Sequence, residues 1–110
     1  MARDKGLEAL VNDVLEGRHG FTQKAMFGGW AWLSNGNIVY AARTDGMLLR
    51  LGKDNDAWAL EIDGIGPMIS RGKPMNGWVR ASPQVYANDV MRHKLLRAAL
   101  DFVQTLPPKF

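Results

Sequence analysis

The clearest alternation of apolar and polar positions lies in the middle of the chain, between Met26 and Lys53. Asn35-Gly36 and Thr44-Asp45-Gly46 divide this stretch, and Asn-Gly supplies the positive φ values that a tight hairpin turn needs. From Met47 to Leu51 every second residue is apolar in the manner of a half-buried strand. The pattern predicts a three-stranded meander whose first strand is interrupted at Gly28-Gly29. Missing side chains there indicate a bulge or a close backbone approach, and we expect a kink.

Apolar residues recur at helical spacing near both ends of the chain. Between Leu7 and Leu15 they fall three and four residues apart, which predicts a helix that is capped by Asp4 and ended by Gly17. The same spacing runs from about Asn88 to Leu106 and predicts a longer helix, which Pro107-Pro108 stops.

Shorter elements are predicted between the meander and the long helix. Asp54-Asn55-Asp56 offers capping side chains ahead of a short helix, which the residues from Gly64 to Pro67 end. Met68 to Ser70 and Trp78 to Ala81 are β-prone, and the glycine and proline content of residues 71–77 predicts a loop between them. The resulting order of elements is α-β-β-β-α-β-β-α. It predicts a two-layer α+β fold in which helices pack on a mainly antiparallel sheet.

Length and composition narrow the class of protein. The 110 residues suffice for one domain, 1–110, with a single core. Cysteine is absent, which excludes disulfides and thiolate metal sites and fits a reducing compartment. We find no apolar run typical of a signal peptide or of a membrane span, so the expected location is cytoplasmic, without a membrane partner.

The chain offers few residues for chemistry. Its two histidines are His19 and His93, and neither has a carboxylate or second ligand at a catalytic or metal-binding spacing. No nucleophile motif or phosphate-binding loop is present. We therefore predict no catalytic residue, no metal and no cofactor. An enzyme or small-ligand binder is the third interpretation, and it would need a closed pocket with convergent polar groups.

Four tryptophans are many for a chain of this size. Trp30 and Trp32 are two residues apart on a predicted strand and must project to the same face. One interpretation is a stacking platform for single-stranded nucleic acid, flanked by arginines. The other is core packing under a helix. Core packing is favoured because aromatic residues dominate core burial and because the net charge is only +3, with the basic residues scattered singly.

Basic side chains flank the predicted loop at residues 71–77. Arg71, Lys73 and Arg80 on a rigid loop could hold an anion, a phosphate backbone or an acidic partner. Arg50 and Lys53 are further candidates for the same role. The alternative is a solvated loop whose proline and glycines serve only the hairpin geometry.

Five segments carry a resemblance to a known family: MFGG, SNGN, DGMLLRLGK, GKPMNGWV and ALDFVQTLPPK, in this order. The chain resembles the N-terminal domain family of TfoX/Sxy, bacterial regulators of natural DNA uptake, over nearly its whole length. The resemblance implies an α+β fold similar to that of type III secretion chaperones. The family offers no catalytic residue to transfer. The matching positions, whose role is unknown, are called signature positions below: Met26, Phe27, Gly28, Gly29, Pro74, Met75, Gly77 and Trp78.

The resemblance also implies a mode of action. Full-length regulators carry a second, C-terminal domain, whereas this chain ends at Phe110 soon after the first. We therefore expect a stand-alone, noncatalytic domain for transcription or competence regulation that binds a protein partner. That partner would be the transcription machinery or a separate C-terminal-type domain, and the resemblance also admits a homodimer. Direct nucleic-acid binding is the alternative, and it would require the scattered Arg and Lys residues to gather on one face.

Overall fold

The computed structural model describes residues 5–17 and 20–109. Helices and strands follow one another along the chain as α1 (Lys5–Leu15), β1 (Phe21–Met26), β2 (Gly29–Ser34), β3 (Asn37–Arg43), β4 (Gly46–Arg50), α2 (Ala57–Leu60), β5 (Ile65–Ser70), β6 (Lys73–Ala81), α3 (Pro83–Tyr86) and α4 (Asp89–Val103).

The strands form one antiparallel sheet in the order β1-β2-β3-β4-β6-β5. Each strand from β1 to β3 pairs with the next along the chain, and β6 lies between β4 and β5. Apolar residues of α1 and α4 pack with side chains from one face of this sheet. The predicted α+β fold with helices on an antiparallel sheet is therefore confirmed, with one further strand, β1, and one further short helix, α3. No helix in the described part of the chain is long and apolar enough to cross a bilayer.

The start of the sheet differs from the sequence prediction. Phe21–Met26 forms strand β1, and Met26 pairs with Gly29 across a two-residue turn of Phe27 and Gly28. Both turn residues have positive φ, 57° and 72°, the pattern of a type I′ hairpin turn. The predicted bulge or kink at Gly28-Gly29 is therefore wrong, whereas the predicted close backbone approach is confirmed at Gly29, where a Cβ would overlap the Ala42 carbonyl. The turn escaped detection because phenylalanine, unlike asparagine, disfavours the left-handed region.

The loop predicted for residues 71–77 is also wrong over most of its length. Only Arg71 and Gly72 form a turn, and β6 begins at Lys73. Pro74 is tolerated in this strand because β4 pairs only with residues 78–81 of β6, so Pro74 lies beyond that pairing.

The two main helices follow the predicted spacing. The Asn88 side chain accepts a hydrogen bond of 2.9 Å from the Met91 amide, so Asn88 is the N-cap of α4. This helix ends at Val103, earlier than the predicted Leu106. Helix α1 ends before Gly17, whose φ is 80°. Asp4, the predicted cap of α1, lies outside the described residues.

Hydrogen bonds within the main core fix both long helices against the sheet. Tyr40 of β3 and Trp32 of β2 are fully buried. The Tyr40 hydroxyl donates to the Leu96 carbonyl of α4 at 2.9 Å, and Trp32 Nε1 donates to Asn12 Oδ1 of α1 at 2.9 Å. Buried polar groups need such partners. Trp30 also packs on this core, so Trp30 and Trp32 share the helix-covered face, as the core-packing interpretation expected.

Gly77 provides a test of how β6 is held against the segment after β4. Its carbonyl accepts from the amides of Leu51 and Gly52 at 2.7 and 3.1 Å, and its φ is 84°. A Cβ at position 77 would lie 2.6 Å from the Lys53 nitrogen. Gly77→Ala should therefore add an overpacking cost of about 1–3 kcal/mol to the ~1 kcal/mol of backbone strain. Urea unfolding measures the loss.

Gly72→Ala is the matched control for that substitution. Gly72 has a similar φ of 78°, but a Cβ there would meet nothing within 4 Å. We expect Gly72→Ala to cost only the backbone strain, about 1 kcal/mol. Equal losses for the two variants would contradict the close approach at Gly77.

Candidate functional site

The second face of the sheet, called the open face below, carries a separate apolar cluster to which none of the described helices contributes. Met68 and Trp78 of this cluster are 3% and 8% exposed. A sheet face that is not covered by another layer is commonly polar. The open face is therefore unusual, because it is apolar although no described helix covers it. Its cluster consists of Ala31, Leu33, Ala41, Leu48, Met68 and Trp78, with Met26, Phe27, Ile38 and Met75 packed against it.

Signature positions from two distant segments meet on the open face. Met26 and Phe27 come from the end of β1 and the β1–β2 turn, whereas Met75 and Trp78 come from β6. The rings of Phe27 and Trp78 have centroids 5.9 Å apart and planes at 62°, an edge-to-face contact. The structure thus joins the MFGG and GKPMNGW segments in one cluster.

The contact between Phe27 and Trp78 requires a strongly curved sheet. Four strand spacings separate β1 from β6, which in a flat sheet would amount to roughly 19 Å. The two side chains cannot bridge that span unless the sheet coils toward the open face. Ala31, Ala41 and Leu48 lie in the interior of the curve and are fully buried although none of the described helices covers them. The open face is therefore concave, and larger side chains from the turn and from β6 close over its floor.

Phe27 occupies its position at a cost to the backbone. Its φ of 57° lies in the left-handed region, where an L-residue other than glycine or asparagine is strained by about 1–2 kcal/mol. The Arg43 guanidinium donates to the Phe27 carbonyl at 3.4 Å. Residues held in such conformations cluster at functional sites. The strained backbone and the partly buried ring make Phe27 the most notable residue of the open face.

Basic side chains surround the apolar cluster. The six described strands contain no Asp or Glu but carry Lys24, Arg43, Arg50, Lys73 and Arg80. Directly paired residues of an antiparallel sheet project to the same face. Lys24 pairs with Ala31, Arg50 with Trp78 and Arg80 with Leu48, so these three basic residues belong to the open face.

An acidic side chain does reach this region at one corner. Asp45, in the β3–β4 turn, forms an ion pair of 2.7 Å with Arg43, and its carbonyl accepts from Arg80 at 3.1 Å. Lys24 and Arg50 form no ion pair with any described residue. Within the described part of the chain, positive charge on the open face is therefore neutralised at the Arg43 corner and uncompensated near Lys24 and Arg50.

The structure separates the basic residues that the sequence analysis grouped around one loop. Arg71 and Lys73 are exposed at the β5–β6 hairpin tip, whereas Arg80 lies seven residues further along β6, roughly 23 Å away. Lys53 is exposed just after β4, and its backbone packs beside Gly77. Of this group, Arg50 and Arg80 are brought onto the open face.

The remaining signature positions are glycines and a proline, which determine the backbone conformation. A Cβ at Gly29 would overlap the Ala42 carbonyl, so the hairpin of β2 and β3 needs glycine there. Gly28 supplies the second positive φ of the β1–β2 turn. Pro74 is exposed and pairs with Ile69 across the β5–β6 hairpin. These residues shape the turns that carry Phe27 and Met75.

Sequence reasoning missed part of the open face. Lys24 was not selected because the predicted meander began at Met26, so no strand was predicted at Lys24. The signal was present as alternation in β1, where Thr22, Lys24 and Met26 share one face. Lys109 and Ile38, which lie near Lys24, come from elements with no common motif, so no sequence pattern could have grouped them.

We find no catalytic arrangement among the other polar groups of the described residues. His93 is exposed on α4, and its Nδ1 lies 2.8 Å from the Asp89 carbonyl of the preceding turn. It borders a groove of about 360 Å³ between α1 and α4, beside the exposed pair Arg97 and Asp101. Among the described residues, no group of three His, Asp or Glu side chains could hold a metal ion. His19 lies outside the described residues.

Comparison with known proteins gives one match. The family model described as the TfoX N-terminal domain matches residues 13–103 of this 110-residue chain. No curated protein and no solved structure matches the chain. The matched region begins within α1 and ends with α4, so it contains the whole sheet and both faces.

A double-mutant cycle tests whether the aromatic contact closes the open face. We expect Phe27→Leu and Trp78→Leu to be coupled in urea unfolding by about 0.5–1.5 kcal/mol, the typical energy of an aromatic pair beyond its buried area. Phe27→Leu with Trp58→Leu is the control pair, because Trp58 packs on the helix-covered side under Lys94. The control coupling should stay within about 0.5 kcal/mol. A Phe27–Trp78 coupling no larger than the control would contradict the contact.

Proposed function

Because this chain belongs to the TfoX N-terminal domain family, we propose that it is a noncatalytic regulatory domain of the cytoplasm that binds a protein partner through the open face. The proposed role of this domain is the control of transcription for DNA uptake, as the family resemblance implies. The observation that carries the proposal is the meeting of Met26, Phe27, Met75 and Trp78 in one cluster that no described helix covers.

The side chains of the cluster suit a binding surface. Aromatic residues, methionine and arginine are enriched at protein interfaces. Met26, Phe27 and Met75 are only partly buried, so a partner could still remove apolar surface from water by contacting them. Methionine is also flexible enough to adapt to different contacts.

Charge narrows the chemistry of the partner. The open face presents Lys24, Arg50 and Arg80 around its apolar centre, and the strands contribute no acidic side chain. Complementary charge favours a partner segment that combines apolar anchors with acidic neighbours.

The edges of the sheet favour one direction of approach. β1 is an edge strand of six residues in regular register with β2 and contains no proline. The opposite edge, β5, contains Pro67 and an irregular register between Pro67 and Ile69, both of which discourage further pairing. An extended partner segment added at β1 would place alternate side chains beside Lys24 and Met26.

Direct nucleic-acid binding is a second candidate function. It is favoured by the gathering of strand Arg and Lys residues on one face. It is disfavoured by the aromatic residues, because Trp32 and Trp78 are 0% and 8% exposed and offer no stacking surface. Nucleic-acid binding would weaken steeply with salt, whereas apolar anchoring would not.

Capture from native lysate with Phe27→Asn tests the proposal. Asparagine tolerates the positive φ of the turn, so the variant should fold while lacking the ring. We expect wild type to retain a protein that nuclease treatment does not release and that Phe27→Asn recovers at least about tenfold less, because the ring is a central apolar anchor. Mass spectrometry with labelled standards measures recovery. An untagged second copy of the chain as the retained protein would identify a homodimer.

Arg71→Asn is the matched control in the same experiment. Arg71 also has a positive φ, 53°, in a two-residue turn, but it lies at the β5–β6 tip away from the apolar cluster. Recovery should be unchanged in this variant. Loss with Arg71→Asn and retention with Phe27→Asn would move the partner site to the hairpin tip. Recovery of nucleic acid alone, lost at high salt, would replace the proposal by the second candidate function.

A further inference from the structure

A pocket of about 440 Å³ lies at the end of the open face, where the β2–β3 turn meets the tail after α4. Its apolar wall includes Met26, Leu33 and Ile38. Three basic residues, Lys24, Arg50 and Lys109, also line the pocket, together with Gly36 and Asn37 of the β2–β3 turn. Pockets that bind small molecules commonly combine an apolar wall with a few polar groups at this size.

Among the described residues, nothing compensates the positive charge of the pocket. None of its three basic side chains forms an ion pair with a described residue, and no Asp or Glu lines the pocket. Three neighbouring positive charges repel one another, and an anion bound between them would relieve that repulsion. The arrangement therefore favours a negatively charged group over a neutral or cationic one.

Arg50, one of the three basic residues of the pocket, is held in place by a neighbouring aromatic ring. The Arg50 guanidinium lies 5.8 Å from the centre of the Phe102 ring, within the range of a cation–π contact. Arg50 is also half-buried, so its side chain loses less freedom when it binds a ligand.

The tail that carries Lys109 is tied to the β2–β3 turn. The Lys109 amide donates to the Asn35 carbonyl at 2.8 Å, and Asn37 Nδ2 donates to the Pro107 carbonyl at 2.9 Å. Gly36 leaves room for this tail, since a Cβ at position 36 would overlap the Lys109 carbonyl. The Ser-Asn-Gly-Asn turn thus reverses the chain and also anchors the tail that carries Lys109.

We propose that this pocket binds the anionic group, a phosphate or a carboxylate, of a small molecule whose apolar part contacts Leu33 and Ile38. The inference goes beyond the partner surface, because the ligand is a small anion rather than a protein. It also stands apart from Phe27, which does not line the pocket. The two proposals can therefore fail separately.

Titration of the ¹⁵N-labelled full chain with four probes, followed by NMR, tests the pocket. Inorganic phosphate and adenosine 5′-monophosphate represent a phosphate source, N-acetyl-leucine a carboxylate source, and adenosine lacks the anion. We expect saturable chemical-shift changes of the amides of Asn35 to Asn37 and Arg50 with either the phosphate or the carboxylate probes. We expect none with adenosine. The anionic probe that binds more tightly identifies the group. Absence of saturable binding by all anionic probes would overturn the proposal.

Charge variants separate the pocket from general attraction of anions. Arg50→Gln should weaken binding of the preferred probe by about tenfold or more, because it removes a charge-assisted hydrogen bond. Arg97→Gln makes the same charge change on α4, away from the pocket, and should leave affinity unchanged. An equal loss in both variants would mean nonspecific attraction and would overturn the site.

Glycine variants test the contribution of the tail. Gly36→Ala should displace Lys109 and weaken the preferred probe about threefold to tenfold, the cost of losing one lysine contact. Gly72→Ala is matched to it, with the same place in a two-residue turn but open space around the added Cβ. Unchanged affinity in Gly36→Ala, with an unchanged spectrum at Lys109, would remove the tail from the site.

Discussion

The sheet of this protein is apolar on both faces, but the described helices cover only one of them. The other face must be buried by the sheet itself, and the contact between the Phe27 and Trp78 rings shows how. Coiling brings the β1–β2 turn over the floor of the open face until it meets β6. Ala31 and Ala41 at the centre of the floor are small enough to permit this closure. One long-range aromatic contact therefore holds the β1–β2 turn against β6 across the curved sheet.

Backbone constraints hold that contact in place. Three of the hairpins have two-residue turns in which both residues have positive φ. The geometry of such turns matches the twist of the strands they join. Gly77 lets β6 approach the segment after β4, so that Trp78 comes to lie opposite Arg50. The strained turn at Phe27 is compatible with a stable fold because burial of the ring offsets a backbone cost of about 1–2 kcal/mol. Strain and burial thus meet in the same residue.

Charge is distributed unevenly between the layers. Acidic residues of the described chain lie in helices, turns and connections, whereas the strands carry only basic ones. The open face consequently combines an apolar centre with positive surroundings, and the C-terminal tail adds Lys109 at one end. The two proposed sites share Lys24, Met26 and Arg50 at the edge of this face but have different centres. The proposed partner surface centres on Phe27, and the proposed anion pocket lies between Lys24, Arg50 and Lys109.

Local patterns were enough to predict the classes and most of the order of the elements. Helical spacing located α1 and α4 and placed the start of α4 near Asn88, which the structure shows to be its N-cap. Asn35-Gly36 marked its hairpin because asparagine and glycine tolerate positive φ. The turn at Phe27-Gly28 and the length of β6 were missed, since phenylalanine at positive φ and proline in a strand are accepted only when tertiary contacts outweigh the local preference.

The sequence by itself determined the α+β architecture, the family and the set of signature positions, because each depends on residues that are neighbours along the chain. Only the tertiary structure decided that Met26 and Phe27 meet Met75 and Trp78, and that Arg71 and Lys73 lie apart from Arg80. Those relations depend on strand order and sheet curvature. Both are set by contacts between residues that are far apart in sequence, and hydrophobic period and turn propensity carry no information about which distant strands will pair.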